Sequence, residues 1–295
     1  MSAAVVTGAR GFVGRALATR LPGPVQRVAL GEPDWSRSLE AVAWRDATVF
    51  HLAARVHRAG DDDEAAFARD NAGKTEALAR AAAAGGARRI VFLSTVKVFG
   101  EESPGRPFTV EDPPRPQDAY ARSKHAAEEA LRRVAQGCAL EAVVVRSPLV
   151  YGAGAGGNLA ALLRLADSAV PLPFAAVRNR RSFVHVDDLV RLLVACGTQA
   201  GAAGGLYLAA HPAPVSTPQL LGALRAALGR PPRLFVVPVA ILEAGAALAG
   251  QGERMRRLTR SLEVDASPAA SLGWRAELGI ERCAADMAAA YRGAR

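Results

Sequence analysis

Apolar positions along this chain fall into two alternating patterns. Short unbroken runs rich in β-branched residues occur at 3–7 (Ala-Ala-Val-Val-Thr), 47–53, 89–95, 142–147 and 205–210, with a weaker run at 25–30. Runs of four to eight such residues between glycine or polar breaks predict strands buried on both faces. Between them the apolar positions recur at helical spacing, predicting helices from the glycine turn to Leu21, near Trp35–Val42, over Glu64–Ala83, over Tyr120–Val134 and over Asn158–Ala169. Repeated strand–helix units predict an α/β fold with a doubly wound parallel sheet, whose ligands bind at the carboxyl ends of the strands.

The pattern departs from regularity twice. Only some 25 residues separate the first helix from the strand at 47–53, too few for a full mononucleotide-binding half, so one strand–helix unit is trimmed. Beyond Tyr151 the alternation breaks. A glycine-rich connection (Gly152–Gly157), the arginine-rich stretch Arg178–Asp188 and two helical runs around a Pro-rich strand follow, then Arg254, Arg256, Arg257 and Arg260. These predict a nucleotide-binding domain of residues 1–151 plus 183–210, and a smaller, largely C-terminal lobe of 152–182 plus 211–295 that closes over the crevice. No internal repeat or low-complexity tail is visible.

Composition narrows the class. The chain has 295 residues, half of them hydrophobic, enough for a sizeable core. No apolar run reaches the ~18 residues of a membrane span, and a strand begins by Ala3, leaving no room for a signal peptide; a cytoplasmic protein with no membrane partner is expected. Cys138, Cys196 and Cys283 lack metal-ligand spacing and read as reduced packing residues, and no metal site is expected. The net charge of +9 reflects arginine usage, since only Lys74, Lys97 and Lys124 are lysines among 37 basic residues. With few aromatics and no recognised motif, a nucleic-acid partner is not expected.

Scarce lysines make Lys124 informative. In Tyr120-Ala-Arg-Ser-Lys124 a spacing of four places phenol and ammonium on one helical face. A fixed cation favours phenolate and would lower the tyrosine pKa from about 10 toward a working range; the plain alternative is two surface residues that happen to lie four apart. The strand at 3–7 runs directly into Gly8-Ala-Arg-Gly11-Phe-Val-Gly14 and a helix, the context in which a glycine turn accepts a dinucleotide pyrophosphate. Arg10 could pair with a 2′-phosphate, or be a solvated loop arginine; no acidic residue sits cleanly at the end of the 25–30 strand, although Glu32 and Asp34 are close. That tips cofactor choice between NAD and NADP toward NADP(H). His51 and His185 read as core or supporting residues, while His57 and Lys97 could reach a substrate from the crevice rim.

Taken together, TGARGFVG, HLAA at 51–54, Asn71, Ser94-Thr95 ahead of Val98-Phe-Gly100, Tyr120 with Lys124, RSPLVYG at 146–152 and RSFVHVDDLV resemble the extended short-chain dehydrogenase/reductases, in their nucleotide-sugar epimerase/dehydratase branch. The resemblance runs from about residue 3 to 274 in the family's order, and implies a Rossmann-type fold. It implies that Gly8, Arg10, Gly11, Phe12, Val13, Gly14, Leu52, Ala53, Ala54, Asn71, Ser94, Tyr120, Lys124 and Ser147 hold the dinucleotide. Thr95, Tyr120 and Lys124 would be catalytic: Thr95 bonding the sugar oxygen, Tyr120 acting as general acid/base, Lys124 holding the ribose. Thr95, Lys97, Asn158, Arg181 and, more loosely, Arg257 would bind substrate.

Dehydratases of this family carry Asp-Glu after the threonine, and C3/C5-epimerising relatives a cysteine; Val96-Lys97 stand there, so neither activity is expected. What the resemblance implies is an NAD(P)-dependent reductase of a 4-keto nucleotide sugar, UDP-linked, alternatively a UDP-sugar 4-epimerase with tightly held NAD, or a non-catalytic dinucleotide sensor. A homodimer built from the helices at 64–83 and 120–134 is implied as well.

Overall fold

A computed structural model describes residues 3–56, 63–103 and 105–293. Strand β1 (Ala4–Thr7) leads through the glycine turn into α1 (Phe12–Ala18); β2 (Val25–Val28), α2 (Trp35–Glu40) and β3 (Thr48–His51) follow. Next come α3 (Glu64–Phe67), a π-helical turn (Ala68–Gly73), α4 (Lys74–Ala84), β4 (Arg89–Thr95), α5 (Ala119–Gln136) and β5 (Glu141–Ser147). The chain continues through β6 (Leu149–Tyr151), α6 (Gly157–Asp167), β7 (Phe183–His185), α7 (Val186–Thr198) and β8 (Leu206–Leu208). It ends with α8 (Thr217–Ala227), α9 (Val239–Leu248), α10 (Gly252–Thr259) and α11 (Ile280–Gly293).

Among the described residues the main sheet has the order β2-β1-β3-β4-β5-β8, with every pair parallel. The chain steps outward from β1 to β2 and returns to β3 on the other side, so strand order reverses between β1 and β3. A crevice opens at the carboxyl ends there. The trimmed unit leaves β2 as an edge strand.

Alternation along each strand divides the interior. Val6, Phe50, Val91, Val143 and Val145 face one layer with Leu17 of α1 and Leu189, Leu192 and Leu193 of α7. Val5, Val49, Ile90, Phe92 and Val144 face the other, against Leu39 of α2, Leu78 of α4 and Leu131 of α5. A period of two places neighbours on opposite faces, so near-continuous apolar runs are what a sheet covered on both sides requires. A third core joins Leu159 and Leu163 of α6, Leu220 and Leu224 of α8, and Cys283 and Met287 of α11. Ala269, Leu272 and Trp274 return to the sheet layer of α1 and α7.

Two local expectations differ from the structure. The helix expected over 64–83 widens into a π-helical turn around Asn71, for a reason that lies in the site. The Pro-rich strand expected between the last helical runs is no strand; residues 231–238 make one isolated bridge, Leu172 to Leu234, because prolines there remove ladder donors.

Candidate active site

The carboxyl ends of β1, β3, β4 and β5 bring the candidate residues to one side of the molecule. After β1, Gly8 adopts φ +70°, and a Cβ there would lie 2.7 Å from the Ala53 amide nitrogen. A Cβ on Gly14 would sit 2.1 Å from the Gly8 carbonyl oxygen. The turn is therefore closed to side chains at both positions. Gly11 donates its N–H to the Gly8 carbonyl at 2.9 Å and remains exposed. A glycine-lined, solvent-facing turn pressed against Ala53 suits a pyrophosphate approaching the backbone. Arg10 points outward and meets Glu32 at 3.9 Å, both strongly exposed.

Behind this turn lies a directed hydrogen-bond chain. Thr75 Oγ1 donates to the Asn71 carbonyl (2.6 Å), so it must accept from His51 Nε2 (2.8 Å), which leaves His51 Nδ1 to accept from Thr7 Oγ1 (2.7 Å). Thr7 Oγ1 in turn accepts from the Ala53 amide at 3.2 Å. His51 is thus neutral with its proton on Nε2, and burial together with the nearby Lys124 charge lowers its pKa to about 3. The chain ties the first two strands of the crevice to the π-helical turn. There Asn71 accepts from the Arg55 amide (2.8 Å) and donates to the Arg55 carbonyl (3.0 Å) and to Ser123 Oγ (2.9 Å). These bonds account for the widened turn.

Asn71 is buried and its side-chain amide bonds to protein groups, which positions the loop after β3 against α5. The Ser94 hydroxyl, at the end of β4, donates to buried Glu128 at 2.5 Å. Leu52, Ala53 and Ala54 are half-buried along the crevice wall, as are Phe12 and Val13.

Tyr120 and Lys124 lie one turn apart on α5, which starts at Asp118, whose carboxylate caps the Ala121 amide at 2.7 Å. Lys124 is almost wholly buried. Its ammonium donates to the Leu93 carbonyl (2.7 Å) and stands 3.9 Å from the Phe92 ring centre. Burial lowers its pKa to about 7, with Glu128 pulling the other way. The half-buried Tyr120 phenol moves opposite to the sequence expectation: burial and the Asp118 carboxylate raise it to about 12. A spacing of four brings a cation onto the same face, but that cation is itself desolvated, and the Asp118 carboxylate acts on the phenol in the opposite sense. A phenol raised so far stays protonated at neutral pH.

Thr95 ends β4 and pairs in register with Ser147 on β5, so two hydroxyl-bearing residues stand side by side at the strand ends. Thr95 Oγ1 accepts from the Lys97 amide at 3.3 Å, and Val96 is buried. Lys97, expected to meet substrate, has its ammonium clamped between Asp118 and Glu101, the latter at 2.7 Å. Asp118, Glu101 and Glu128 were not singled out from sequence; capping and i,i+4 spacing mark the first two. Arg181 donates to the Arg260 carbonyl at 3.0 Å, and its pKa falls to about 10 through burial, with Glu101 opposing and Arg257 reinforcing the drop. Arg181, Arg257 and Glu101 therefore share one region. Asn158 is exposed near the start of α6. His57 lies outside the described residues. Among the described residues no group of three or more metal-ligating side chains occurs.

Acid should weaken this arrangement. His51 has a folded pKa below its unfolded value of 6.5, so between 6.5 and about 3 the unfolded chain binds a proton that the native state refuses. Lys124, depressed from 10.5 to about 7, acts in the same sense over its own window. The melting temperature is expected to fall as pH drops below 6.5, and His51→Gln to flatten that fall, measured by thermal shift against pH.

The fold and the glycine turn define a Rossmann-type dinucleotide-binding enzyme. The model of the NAD dependent epimerase/dehydratase family matches residues 4–210, and the chain belongs to that family. It is 35% identical over 253 residues to a UDP-glucose 4-epimerase of Vibrio cholerae, covering 83% of this chain and 77% of the relative. A dTDP-4-dehydrorhamnose reductase of Mycobacterium tuberculosis is 32% identical, with 72% and 71% covered. Solved structures with the same fold include a UDP-glucose 4-epimerase from Thermotoga maritima with UDP-glucose (TM-score 0.80, 20% identity, 99% of each chain). Another is RMD from Pseudomonas aeruginosa complexed with NADPH (TM-score 0.78, 21% identity, 99% and 100% covered).

Proposed function

We propose that this chain exchanges hydride and proton at C4 of a UDP-linked sugar, using NAD(P). The observation that carries the reading is that Tyr120, Lys124 and Thr95 share the carboxyl end of the sheet with a glycine turn closed to side chains at Gly8 and Gly14. Gly8, Gly11 and Gly14 would hold the pyrophosphate, Ala53 and Ala54 would line its path, and Lys124 would bond the nicotinamide ribose. The dinucleotide supplies the hydride acceptor or donor. Tyr120, protonated in the free site, gives its proton to the developing C4 alkoxide and recovers it in the reverse direction; Thr95 orients that oxygen. Arg181 and Arg257 would meet the diphosphate, with Asn158 at the lobe's entrance. Lys97 serves by fixing Asp118 and the start of α5. Buried Val96 supplies no second acid or base, which disfavours dehydration.

Two directions share this half-reaction. Net reduction of a 4-keto sugar is what the family resemblance implied and is supported by likeness to the mycobacterial reductase. Epimerisation at C4 is supported by the longer and closer match to the Vibrio protein. The Arg10–Glu32 pair bears on the cofactor: a 2′-phosphate would displace Glu32 from Arg10, whereas a plain ribose would use Glu32 itself. Arg10 keeps the preference on NADP(H).

The test is direct. The purified protein is denatured and any released dinucleotide identified; UDP-glucose turnover is then followed with and without NADPH. Interconversion without reductant establishes the epimerase, and NADPH consumption matched to loss of a 4-keto UDP-sugar establishes the reductase. Absence of both, with no thermal stabilisation by NAD+, NADP+ or UDP-sugars, overturns the assignment. Light scattering should give a dimer, paired through α4 and α5.

A further inference from the structure

Exposed large apolar side chains gather in one part of the C-terminal region. Val170, Phe235, Val236, Ile241 and Leu248 are 62%, 47%, 72%, 61% and 92% exposed, and among the described residues only Val56 and Leu149 are comparable elsewhere. Helix α9 buries none of its ten residues fully. Val239, Leu242 and Ala246 are half-buried toward the protein, while Ala240, Ile241, Ala244, Ala247 and Leu248 face outward. The sole ionisable residue between 235 and 250, Glu243, is turned to α10, accepting from Thr259 Oγ1 at 2.7 Å and from Arg260 at 2.8 and 3.0 Å. With its one charge turned to α10, the outward face of α9 is wholly apolar and requires apolar surroundings that the protein does not supply there.

The patch is held on a firm base. Arg225, fully buried, donates to the carbonyls of Val170 (2.6 Å) and Pro232 (3.0 Å), pinning the loop after α6 to the turn before Phe235. Leu172 and Phe235 then exchange backbone bonds with residues of the opposite segment at 2.9–3.0 Å. Beside them lies a cleft of about 200 Å³ lined by Ser168, Arg225, Arg230 and Arg233. Arg230 and Arg233, which line that cleft, and Arg254 and Arg256, on the α10 helix packed against α9, are exposed; Arg230 also pairs with Asp167 at 3.0 Å.

We infer that this face docks on an anionic lipid surface, with α9 lying in the plane of the interface and the arginines on lipid phosphates. At ten residues α9 is about 15 Å long, too short to span a bilayer, and no helix of the described residues can cross one. An outward apolar face flanked by arginine matches the interfacial arrangement, in which apolar insertion and attraction to acidic headgroups act together. A second copy of this chain fits poorly, because symmetric pairing over this face would bring the exposed arginines of the two copies together. The inference departs from the expectation of no membrane partner and stands independently of the substrate assignment.

The full chain is floated with vesicles of phosphatidylcholine containing about a third phosphatidylglycerol, and with phosphatidylcholine alone, at low and physiological salt. Binding to the acidic vesicles is expected, weakened by salt, and reduced at least tenfold in Ile241→Asp/Leu248→Asp. Those positions lie outside the proposed catalytic residues, so turnover and melting temperature should stay unchanged. Should that variant fail to fold, Arg254→Gln/Arg256→Gln leaves the apolar face intact and should shallow the salt dependence. No flotation with acidic vesicles, equal binding to neutral ones, or an oligomer that the apolar variant dissociates without any vesicle binding would each overturn it.

Discussion

Tyr120→Phe is expected to lower kcat by about 10²–10⁴-fold while leaving dinucleotide affinity and melting temperature within error. The ring would keep its edge contact with Phe67, 6.3 Å between centres, so only the proton is lost. The environment of the phenol adds a second, sharper expectation. Burial and Asp118 hold it near 12, which suits donation to an alkoxide but opposes the phenolate that the oxidative direction needs. Asp118→Asn removes that carboxylate, and should move the rise of the oxidative rate with pH to lower pH. The reductive rate should change little. If Tyr120→Phe retained full turnover, the proton would have to come from elsewhere and the role given to Tyr120 would fall.

How much of this was visible beforehand depends on the range over which each feature is decided. Strand β4 matches the run at 89–95, because a strand covered on both faces is written locally as apolar residues with no polar interruption. The trimmed segment after α1 could be counted from spacing alone, and β2 at the sheet edge is its consequence. The glycine turn was readable because closure at Gly8 and Gly14 is a backbone property.

Partners distant in sequence were not. Nothing near Asn71 indicates that Arg55 and Ser123 will use its amide, and nothing near Ser94 indicates Glu128, 34 residues away. The Tyr120 shift differs in sign from the expectation mainly for a related reason: spacing reveals a cation four residues on, whereas the burial of phenol and cation arises only once α5 packs over β4; the Asp118 carboxylate, two residues away, was legible but did not enter that expectation.

Glu128→Gln is expected to cost about 3–5 kcal/mol of stability, a fall in melting temperature on the order of 10 °C for a chain of this size. Glu128 is fully buried and accepts from Arg146 at 2.6 and 3.0 Å as well as from Ser94. Neutralising it leaves the buried Arg146 guanidinium without its counter-ion, a larger penalty than loss of the hydrogen bonds alone. Removing both charges should cost much less, so Glu128→Met/Arg146→Met is expected to recover most of the lost stability, read by urea denaturation. The catalytic effect should not recover with it. Glu128 also supports the charge on Lys124, one turn away, against the burial that depresses it to about 7. Both variants should therefore move the lysine's titration lower and shift the pH–rate profile in the same direction, whether or not the fold has been restored. A double variant with wild-type stability and a wild-type profile would show that the carboxylate only anchors α5 to the sheet; a restored fold with a displaced profile would assign it the additional task of keeping Lys124 charged.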